Sequence, residues 1–538
     1  MATTLESLSV ELGCTRRHMR NLLQAMQQRG WISWQSRAGR GGRSQLAFLK
    51  PPGELQRDAA ALLLARGQVT QAVDLLGGDR RELSSLLLSK LGRRWEDDRQ
   101  VLTVPYYRTL RNLYPGTPMR RSERHLVGQV FNGLTRINEE KGEIEADLAH
   151  HWYRISACEW HFHLRPAVRW HDGRRLDMND VLSTFERLRA LPLYDNIGAV
   201  RALSERCLAI DLREPDNWLL WLLADTPAMI LPADHARRPC FASLPVGTGP
   251  YRVDANDELH LRLRAFDDYF GYRALLDEVE VWIMAGVDTA ALPERDPCHL
   301  QVQINPGAHR GELSDMEPEQ GCHFLLCDAR SPRLADDALR RWFARVLSPL
   351  DLSGRLPPAV RQFWTPAASL MPQWFHSRLG GAVSPLATPL TLRLAYYGQQ
   401  PDYEQLARAM ADWLVAYGVT LECHCIDYSQ WERGEGGFDL WLGSINFAGE
   451  ADFSVAAWLL GTPLLRASLG RGLPLADWLS AWRSGAMDAR AIAAEVVQHH
   501  WLLPLFHSWF RLQGTRRMHG VRLNSLGWFD FKSAWLVP

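Results

Sequence analysis

The sequence contains no long hydrophobic run and no excess of charge of either sign. Its longest plainly apolar segment, WLLWLLA at 218–224, is far shorter than the roughly 20 residues that span a bilayer. A membrane-spanning helix is therefore not expected. Lys plus Arg total 61 and Asp plus Glu total 61, so overall charge does not indicate nucleic acid or an acidic substrate as the partner. Any basic surface must be local.

A secretory leader and a regular cysteine framework are also lacking. The first residues, MATTLESLSVELGC, have neither a basic start nor the apolar stretch that a leader needs, which predicts a cytoplasmic protein. The nine cysteines are an odd number and are scattered, so reduced thiols are expected. At 538 residues the chain is too long for one hydrophobic core, and about three structural units are expected.

The amino-terminal segment is basic and has a distinctive pattern. Leucines recur at near-helical spacing over residues 5–12, Gly13 permits a sharp turn, and Thr15 can cap a second helix that is apolar on one face. After Gly30, two short strand-like runs flank a tip rich in Gly and Arg. This pattern predicts a winged helix-turn-helix, in which a recognition helix enters the major groove of DNA.

The predicted contacts with double-stranded DNA follow from that pattern. The second helix presents basic and polar side chains on its solvent face, and arginines follow on the wing, where they can meet phosphates. The predicted DNA-binding residues are Thr15, Arg16, Arg17, Arg20, Gln24, Arg37, Arg40 and Arg43. The alternative is that this basic helix is only a solvated surface. A palindromic operator would imply a homodimer.

The rest of the chain divides into a connector and a large α/β part. Residues 51–100 begin with PPG and continue with leucine- and alanine-rich segments, which predict a helical connector. Further along, LTLRLAYY at 390–397 is a predicted strand, Asp402 can start a helix, and VTLECHCID at 419–427 returns as a strand. This βαβ unit indicates α/β architecture with a parallel strand pair.

Three closely spaced histidines raise the question of a metal site. His161 and His163 lie on one face of a predicted strand, and His171 follows in a turn. Histidines on an exposed strand face are more often polar surface, and no HExxH helix motif accompanies them. Neither a metal nor a cofactor is therefore expected. The GTG at 247–249 is followed by proline and a strand-like segment, so a nucleotide-binding loop is not expected either.

Several segments resemble known proteins. LAHHWYRISACEWHFHLRPAVRWHDGRRLDMNDVLSTFERL at 148–188 is similar to the hallmark stretch of the oligopeptide and dipeptide class of extracellular solute-binding proteins. PVGTGPYRV at 245–253, FDDYFGYRALLDEVEVWI at 266–283 and ASLMPQ at 368–373 follow in the order that this class uses. The resemblance implies a two-lobe fold that binds its ligand between the lobes, with the histidines on a structural strand.

Together with the winged helix, this arrangement resembles the SgrR family of bacterial transcription regulators. RGWISWQSRAGRGGRS at 29–44 and VPYYRTLRNLYPGTPMRRSERHLVGQVFNGLTRINEE at 104–140 carry the closer resemblance. It implies a multidomain protein with an all-α/winged-helix DNA-binding unit followed by a two-lobe α/β periplasmic-binding-protein-like (type II) domain. The expected boundaries are 1–50 for the DNA-binding domain, 51–100 for the connector, 101–295 with 505–538 for lobe I, and 296–504 for lobe II.

The same resemblance implies a small-molecule ligand in the cleft between the lobes. The positions that match the ligand sites of the solute-binding class are Tyr107, Phe131, Asn132, Trp364, Asn446, Phe447 and Asp452. The AGEAD segment at 448–452 lacks the tyrosine and proline of the peptide-binding pattern, which argues against a peptide. The family implies a metabolite signal of sugar-phosphate stress or sugar uptake, and Arg361 is a candidate for holding a phosphate group.

The predicted function is a ligand-responsive DNA-binding transcriptional regulator, in which lobe closure around a ligand changes DNA affinity. The alternative is a solute- or peptide-binding protein that serves an ABC-type transporter. An enzyme is not expected, because no G-x-S-x-G nucleophile motif is present and the solute-binding resemblance favours binding without chemistry. No catalytic residue is therefore assigned.

Overall fold

The chain folds into two units, and the boundary between them lies between Leu91 and Gly92. The computed structural model describes residues 2–36, 43–65, 69–77, 86, 92–96, 98–283, 301–304, 314–361, 364–374, 383–398, 401–447, 449–513, 518–521, 524 and 526–536. None of the helices in these ranges is long and apolar enough to cross a membrane.

The first unit has the predicted helix-turn-helix and wing. Its elements are β1 (Ala2–Thr3), α1 (Leu5–Glu11), α2 (Arg16–Gln28), β2 (Ile32–Gln35), β3 (Ser44–Phe48), α3 (Pro52–Ala65) and α4 (Val69–Leu75). The three strands form an antiparallel sheet in the order β1-β3-β2. Gly13 has a φ of +61° between α1 and α2, a conformation that glycine adopts without strain.

The prediction of a helical connector over 51–100 is wrong at its carboxyl end. Residues Gly92–Glu96 form strand β4, which pairs antiparallel with β5 (Arg99–Tyr106). Asp98 has a φ of 66° in the tight turn between them. Strand β5 is buried at 101–104 and lies between two strands. On one side it pairs with β14 (Glu278–Ile283), and on the other side β4 binds the backbone groups of β5 that would otherwise have no partner. This pairing favours a strand where composition favours a helix.

The described part of the first lobe of the second unit contains three sheets. One has the strand order β12-β13-β14-β5-β4, the four-stranded sheet has the order β10-β11-β9-β8, and β6 pairs with β7 in a two-stranded sheet. The elements not yet given are α5 (Arg121–Val130), β6 (Thr135–Asn138), β7 (Glu143–Ala146), β8 (Ala149–Ser156), β9 (Glu159–Leu164), α6 (Met178–Leu188), β10 (Ile197–Ser204), β11 (Cys207–Leu212), α7 (Leu219–Leu222), β12 (Tyr251–Asn256) and β13 (His260–Ala265). Asp177 and Asp180 form the predicted capping box at the start of α6.

The second lobe is built on a mixed sheet. Its main strand order is β15-β22-β17-β21-β19-β20, and β16 and β18 also pair with β22. The strands are β15 (Gln301–Ile304), β16 (Ser314–Pro318), β17 (Gly321–Cys327), β18 (Trp364–Pro366), β19 (Leu390–Tyr397), β20 (Val419–Ile426), β21 (Leu440–Asn446) and β22 (Leu502–Gln513). Strands β19 and β20 are parallel, which confirms the predicted βαβ unit.

Nine described helices belong to the second lobe, and most of them cover this sheet or connect its strands. They are α8 (Asp337–Val346), α9 (Pro349–Ser353), α10 (Pro358–Arg361), α11 (Pro401–Val415), α12 (Tyr428–Glu432), α13 (Ala451–Gly461), α14 (Pro463–Leu469), α15 (Leu475–Ser484) and α16 (Ala489–Gln498). The predicted return to lobe I at residue 505 is wrong, because β22 stays in the second-lobe sheet up to Gln513. Short strands β23 (Met518–His519) and β24 (Trp535–Leu536) follow.

Among the described residues, two apolar clusters stabilise the second unit. One includes residues of the five-stranded sheet of the first lobe together with Trp528, Phe529 and Phe531 from the end of the chain. The other runs without a break from the four-stranded sheet of the first lobe into the second lobe. The two lobes therefore share an apolar core at the four-stranded sheet of the first lobe. Helix α5 makes a separate contact with the second lobe.

Candidate functional site

Helix α2 is fixed in the first unit by a small apolar core. The buried members of that core are Leu8, Met19, Leu23, Ile32 and Leu46. Thr15 caps the helix, because its hydroxyl oxygen accepts a hydrogen bond from the backbone N–H of His18 at 3.2 Å. The apolar face of α2 is thus directed inward and its polar face outward.

The α2 side chains predicted to bind DNA have different surroundings. Arg16 forms an ion pair with Glu6 of α1, so its guanidinium is held against the preceding helix. Arg17, Arg20 and Gln24 are exposed. Within the part of the chain that the structure describes, no hydrogen bond or ion pair is recorded for these three side chains. These side chains can therefore bind a partner without breaking a hydrogen bond or ion pair within the described part of the protein.

The wing contributes one described arginine. Arg43 is exposed next to the first residue of β3. Arg37 and Arg40 lie outside the described residues. The phosphate contacts expected of the wing stay a prediction.

The two lobes of the second unit meet at the start of α5. Arg121 of the first lobe forms an ion pair with Glu319 of the second, with Nη1 and Oε1 2.5 Å apart. The Arg120 guanidinium lies 5.1 Å from the ring centroid of Tyr397 and 4.0 Å from that of Tyr428, a cation–π arrangement. These tyrosines end or follow parallel strands, at the edge where α/β folds bind ligands. We call this region the interlobe junction.

On the first-lobe side of the interlobe junction, two arginines act on the phenol of Tyr107. Both terminal nitrogens of the Arg108 guanidinium, Nη1 and Nη2, donate to the carboxylate of Glu123, and Nη2 and Oε2 are 2.8 Å apart. Burial by itself favours the neutral phenol of Tyr107, yet the guanidinium groups of Arg108 and Arg121 lower the pKa of this phenol below its ordinary value. The phenol of Tyr107 therefore lies beside two guanidinium groups, each of which is already paired with a carboxylate.

On the second-lobe side, His323 lies among aromatic and hydroxyl groups. Its ring centroid is 4.4 Å from that of Trp364, and its Nδ1 is 3.3 Å from Ser508 Oγ. The hydroxyl groups of Tyr403 and Ser444 are hydrogen-bonded at 2.6 Å. Burial lowers the pKa of His323 to about 4, so the ring is neutral at pH 7 and adds no charge to the interlobe junction.

Two of the predicted ligand-binding residues have polar atoms without partners. Nδ2 and Oδ1 of Asn446 and Nε1 of Trp364 are shielded from solvent, and none has a hydrogen-bond partner among the described residues. Asn446 pairs with Gly321 on the neighbouring strand. A polar atom buried in this way costs roughly 1 to 3 kcal/mol. Asn446 and Trp364 therefore have unused hydrogen-bonding capacity.

Three other predicted ligand-binding residues have structural contacts. Phe131 is fully buried in the first-lobe core. The Asn132 amide donates to Asp147 at 2.9 and 3.0 Å, and its oxygen accepts from the Thr248 hydroxyl at 3.0 Å. Phe447 is buried in the apolar cluster that the lobes share. These contacts occupy side chains for which ligand contact was predicted.

The contacts of Asp452 and Arg361 do not involve the residues of the interlobe junction. The Asp452 carboxylate accepts a hydrogen bond from the backbone N–H of Ala489, the first residue of α16, at 2.5 Å. Arg361 is exposed at the end of α10. In the described ranges, no recorded hydrogen bond or ion pair links Arg361 to the residues of the interlobe junction.

Sequence reasoning missed Arg120, Arg121, Glu319, Tyr397 and Tyr428. The Arg120-Arg121 pair lies within the segment that carries the family resemblance, but nothing local distinguishes it from a solvated doublet. Tyr397 ends a strand that the sequence predicts, and Tyr428 follows the next one. The rule that ligands bind at the carboxyl ends of parallel strands could have selected both tyrosines.

The histidines have ordinary structural neighbours. His161 and His163 lie on β9, where they neighbour a glutamate and a cysteine. His171 joins its turn to the GTG at 247–249 by a 3.2 Å hydrogen bond from the Gly247 N–H and a 3.0 Å contact with the Gly249 carbonyl. Across the residues that are described, no three His, Cys, Asp or Glu side chains are grouped so as to hold a metal ion.

Comparison with known proteins matches both units. Residues 1–98 match the family described as "Sugar transport-related sRNA regulator N-term", and residues 143–341 match "Bacterial extracellular solute-binding proteins, family 5 Middle". The HTH-type transcriptional regulator SgrR of Yersinia enterocolitica is 42% identical over 538 residues, which cover 100% of this chain and 95% of the relative. That of Salmonella typhimurium LT2 is 43% identical over 541 residues, with the same coverage. The chain belongs to the SgrR family.

Solved structures match the second unit of this SgrR-family protein in fold. Burkholderia pseudomallei OppA has a TM-score of 0.67 at 17% identity, covering 82% of this chain and 100% of its own. DppA from Helicobacter pylori, solved with the peptide STSA, has a TM-score of 0.67 at 15% identity and covers 81% and 98%. The predicted fold class is confirmed: an SgrR-type DNA-binding region precedes a family 5 solute-binding domain in a DNA-binding transcriptional regulator.

Proposed function

We propose that this SgrR-family regulator binds double-stranded DNA through α2 and the wing, and that a small metabolite at the interlobe junction alters its DNA affinity. The observation that carries the proposal is an exposed cationic helix in the same chain as a two-lobe solute-binding fold. A coupling free energy of about 1 to 3 kcal/mol between the two sites is sufficient. The ligand must prefer one arrangement of the lobes over another, because equal affinity for both changes nothing.

The proposed ligand is a sugar phosphate, recognised without catalysis. The adjacent arginines Arg120 and Arg121 at the start of α5 support an anionic group on the ligand, and the unpartnered atoms of Asn446 and Trp364 support hydrogen bonds to hydroxyl groups. Lobe closure around the ligand is the proposed signal. The protein acts in the cytoplasm, and as a homodimer if its operator is palindromic.

The test is DNA binding by fluorescence anisotropy at 50 and 200 mM salt, with DNA from upstream of the protein's own gene and with scrambled DNA. The double variant Arg17→Ala with Arg20→Ala is expected to lose selective binding. If both side chains contact phosphates, the slope of log affinity against log salt falls by about 2. The matched control, Arg408→Ala with Arg433→Ala, removes the same charge from exposed positions of the second lobe and is expected to bind normally.

A second candidate function is solute binding in the service of a transporter. The match of the second unit to OppA and DppA is the observation that favours it. Wild-type protein without selective DNA binding at either salt concentration would contradict the regulator and leave this candidate. Glucose 6-phosphate is the first ligand probe, by calorimetric titration and by its effect on the DNA anisotropy.

A further inference from the structure

The buried side of α2 determines which of its polar residues point away from the unit. Met19 and Leu23 are packed in the core, and each residue advances the helix by about 100°. The side chains on the opposite side are therefore Arg17, Asn21 and Gln24, spaced i, i+4 and i+7, and Gln28 continues the same direction. All four are exposed. We call this set the outer line of α2.

The other polar side chains at the start of α2 are placed differently. The Thr15 oxygen accepts from the His18 backbone, and Arg16 is paired with Glu6. Arg20 lies beside the outer line on the helix surface, about 40° around the helix axis from Gln24. Among the described residues, no hydrogen bond or ion pair is recorded for Asn21. The outer line is therefore the part of α2 that a partner approaching this helix would contact first. Two of its residues, Asn21 and Gln28, were not among the DNA-binding residues predicted from the sequence.

The chemistry of the outer line matches base edges. A side-chain amide has one donor and one acceptor in a plane, which fits N7 and the N6 amino group of adenine in the major groove, whereas arginine fits O6 and N7 of guanine. Eleven residues separate Arg17 from Gln28, a rise of about 16 Å. At about 3.4 Å per base pair, this spans roughly five base pairs.

We propose that Asn21 and Gln24 read adenines and Arg17 reads a guanine within one half-site of about five base pairs, so that Asn21 is a specificity-determining residue. The inference rests on the DNA binding proposed above and adds the bases that are recognised. The amides confer selectivity, because only they tell an adenine from the other bases at their positions. Arg20 and Arg43 supply phosphate contacts that every sequence offers.

The experiment selects bound duplexes from a randomised pool with the full-length protein at one salt concentration. Wild type, Asn21→Ala and Gln24→Ala are compared with Gln27→Ala, an exposed amide on α2 that lies off the outer line. The wild-type site is expected to contain a guanine and two adenines within about five base pairs. Asn21→Ala is expected to lose preference at one adenine only, with discrimination at that position reduced roughly 5- to 150-fold. Gln27→Ala keeps the wild-type pattern.

The results separate this inference from the function on which it rests. A wild-type protein that selects no sequence contradicts the regulator itself. Selection by wild type with an unchanged pattern in Asn21→Ala and Gln24→Ala overturns the inference alone, as does a wild-type site without adenines. An equal loss in Gln27→Ala overturns the assignment of the outer line. Thermal melting of each variant identifies an unfolded protein, and Asn21→Leu, which keeps the size of the side chain but removes the amide, then replaces Asn21→Ala with the same expected loss.

Discussion

Asn132 and Asn446 are two asparagines for which the family resemblance implies ligand contact, and their surroundings are opposite. The Asn132 amide uses its nitrogen on Asp147 and its oxygen on Thr248. Burial raises the pKa of the Asp147 carboxyl to about 6, and the hydrogen bonds from Asn132 oppose this shift. Asn446 has no partner for either side-chain atom among the described residues. The side-chain amide of Asn132 therefore stabilises the fold, whereas that of Asn446 has hydrogen-bonding groups without a partner among the described residues.

Replacement of each asparagine by leucine, which has a similar size, should have opposite effects on stability. Asn446→Leu removes two unsatisfied polar atoms and is expected to raise the melting temperature of the ligand-free protein. Asn132→Leu leaves Asp147 and Thr248 without their partner and is expected to lower the free energy of unfolding by roughly 1 to 3 kcal/mol. Thermal melts at pH 7 measure both effects. A lower melting temperature for Asn446→Leu would show that its amide is part of the fold.

At the scale of elements, local patterns were sufficient for those helices and strands whose signals lie within a few positions. The capping box at Asp177 and Asp180 and the alternation in β19 depend on residues within a few positions of one another. The interlobe junction depends on Arg121 and Glu319, which are 198 positions apart, and no local period encodes that meeting. Strand β4 was missed for the same reason, since its neighbour β5 decides its conformation.

Helix α15 makes a second contact between residues that are far apart in the sequence. Arg483 is 5% exposed and is 2.5 Å from Asp195, 3.3 Å from Glu214 and 3.6 Å from Asp216, all of the first lobe. Nearby, the Trp218 and Trp482 rings stack with centroids 5.3 Å apart. Charge pairing and apolar burial act together here, so α15 fixes the four-stranded-sheet side of the first lobe to the second lobe.

Arg483→Met is expected to destabilise the protein by about 3 kcal/mol or more, because it leaves the Asp216 carboxylate buried without its cation. Arg408→Met is the matched control, since Arg408 pairs with Glu404 at exposed positions of α11, and such a pair contributes little. Urea unfolding at pH 7 gives both free energies. Equal, small losses would contradict a structural role for the Arg483 contacts.

For the molecule as a whole, folding must be linked to proton binding. Burial raises the pKa of the Glu432 carboxyl from an ordinary 4.5 to about 7, and Arg433 offsets only part of this shift. A carboxyl whose pKa is raised by folding binds its proton more tightly in the folded state. The stability that Glu432 contributes is therefore complete below pH 4.5 and is lost as the pH rises through 7. Asp147, with its pKa raised to about 6, acts in the same direction.

Glu432→Gln should remove this dependence on pH, because glutamine stays neutral. At pH 4.5 the variant and wild type are expected to have similar free energies of unfolding, and at pH 7.5 the variant should be the more stable. Urea unfolding at pH 4.5, 6 and 7.5 measures the difference. Glu435→Gln is the matched control: this nearby exposed glutamate has its pKa lowered by Arg433, so its replacement should give no gain as the pH rises. A constant difference between Glu432→Gln and wild type across these pH values would mean that folding does not raise the pKa of Glu432.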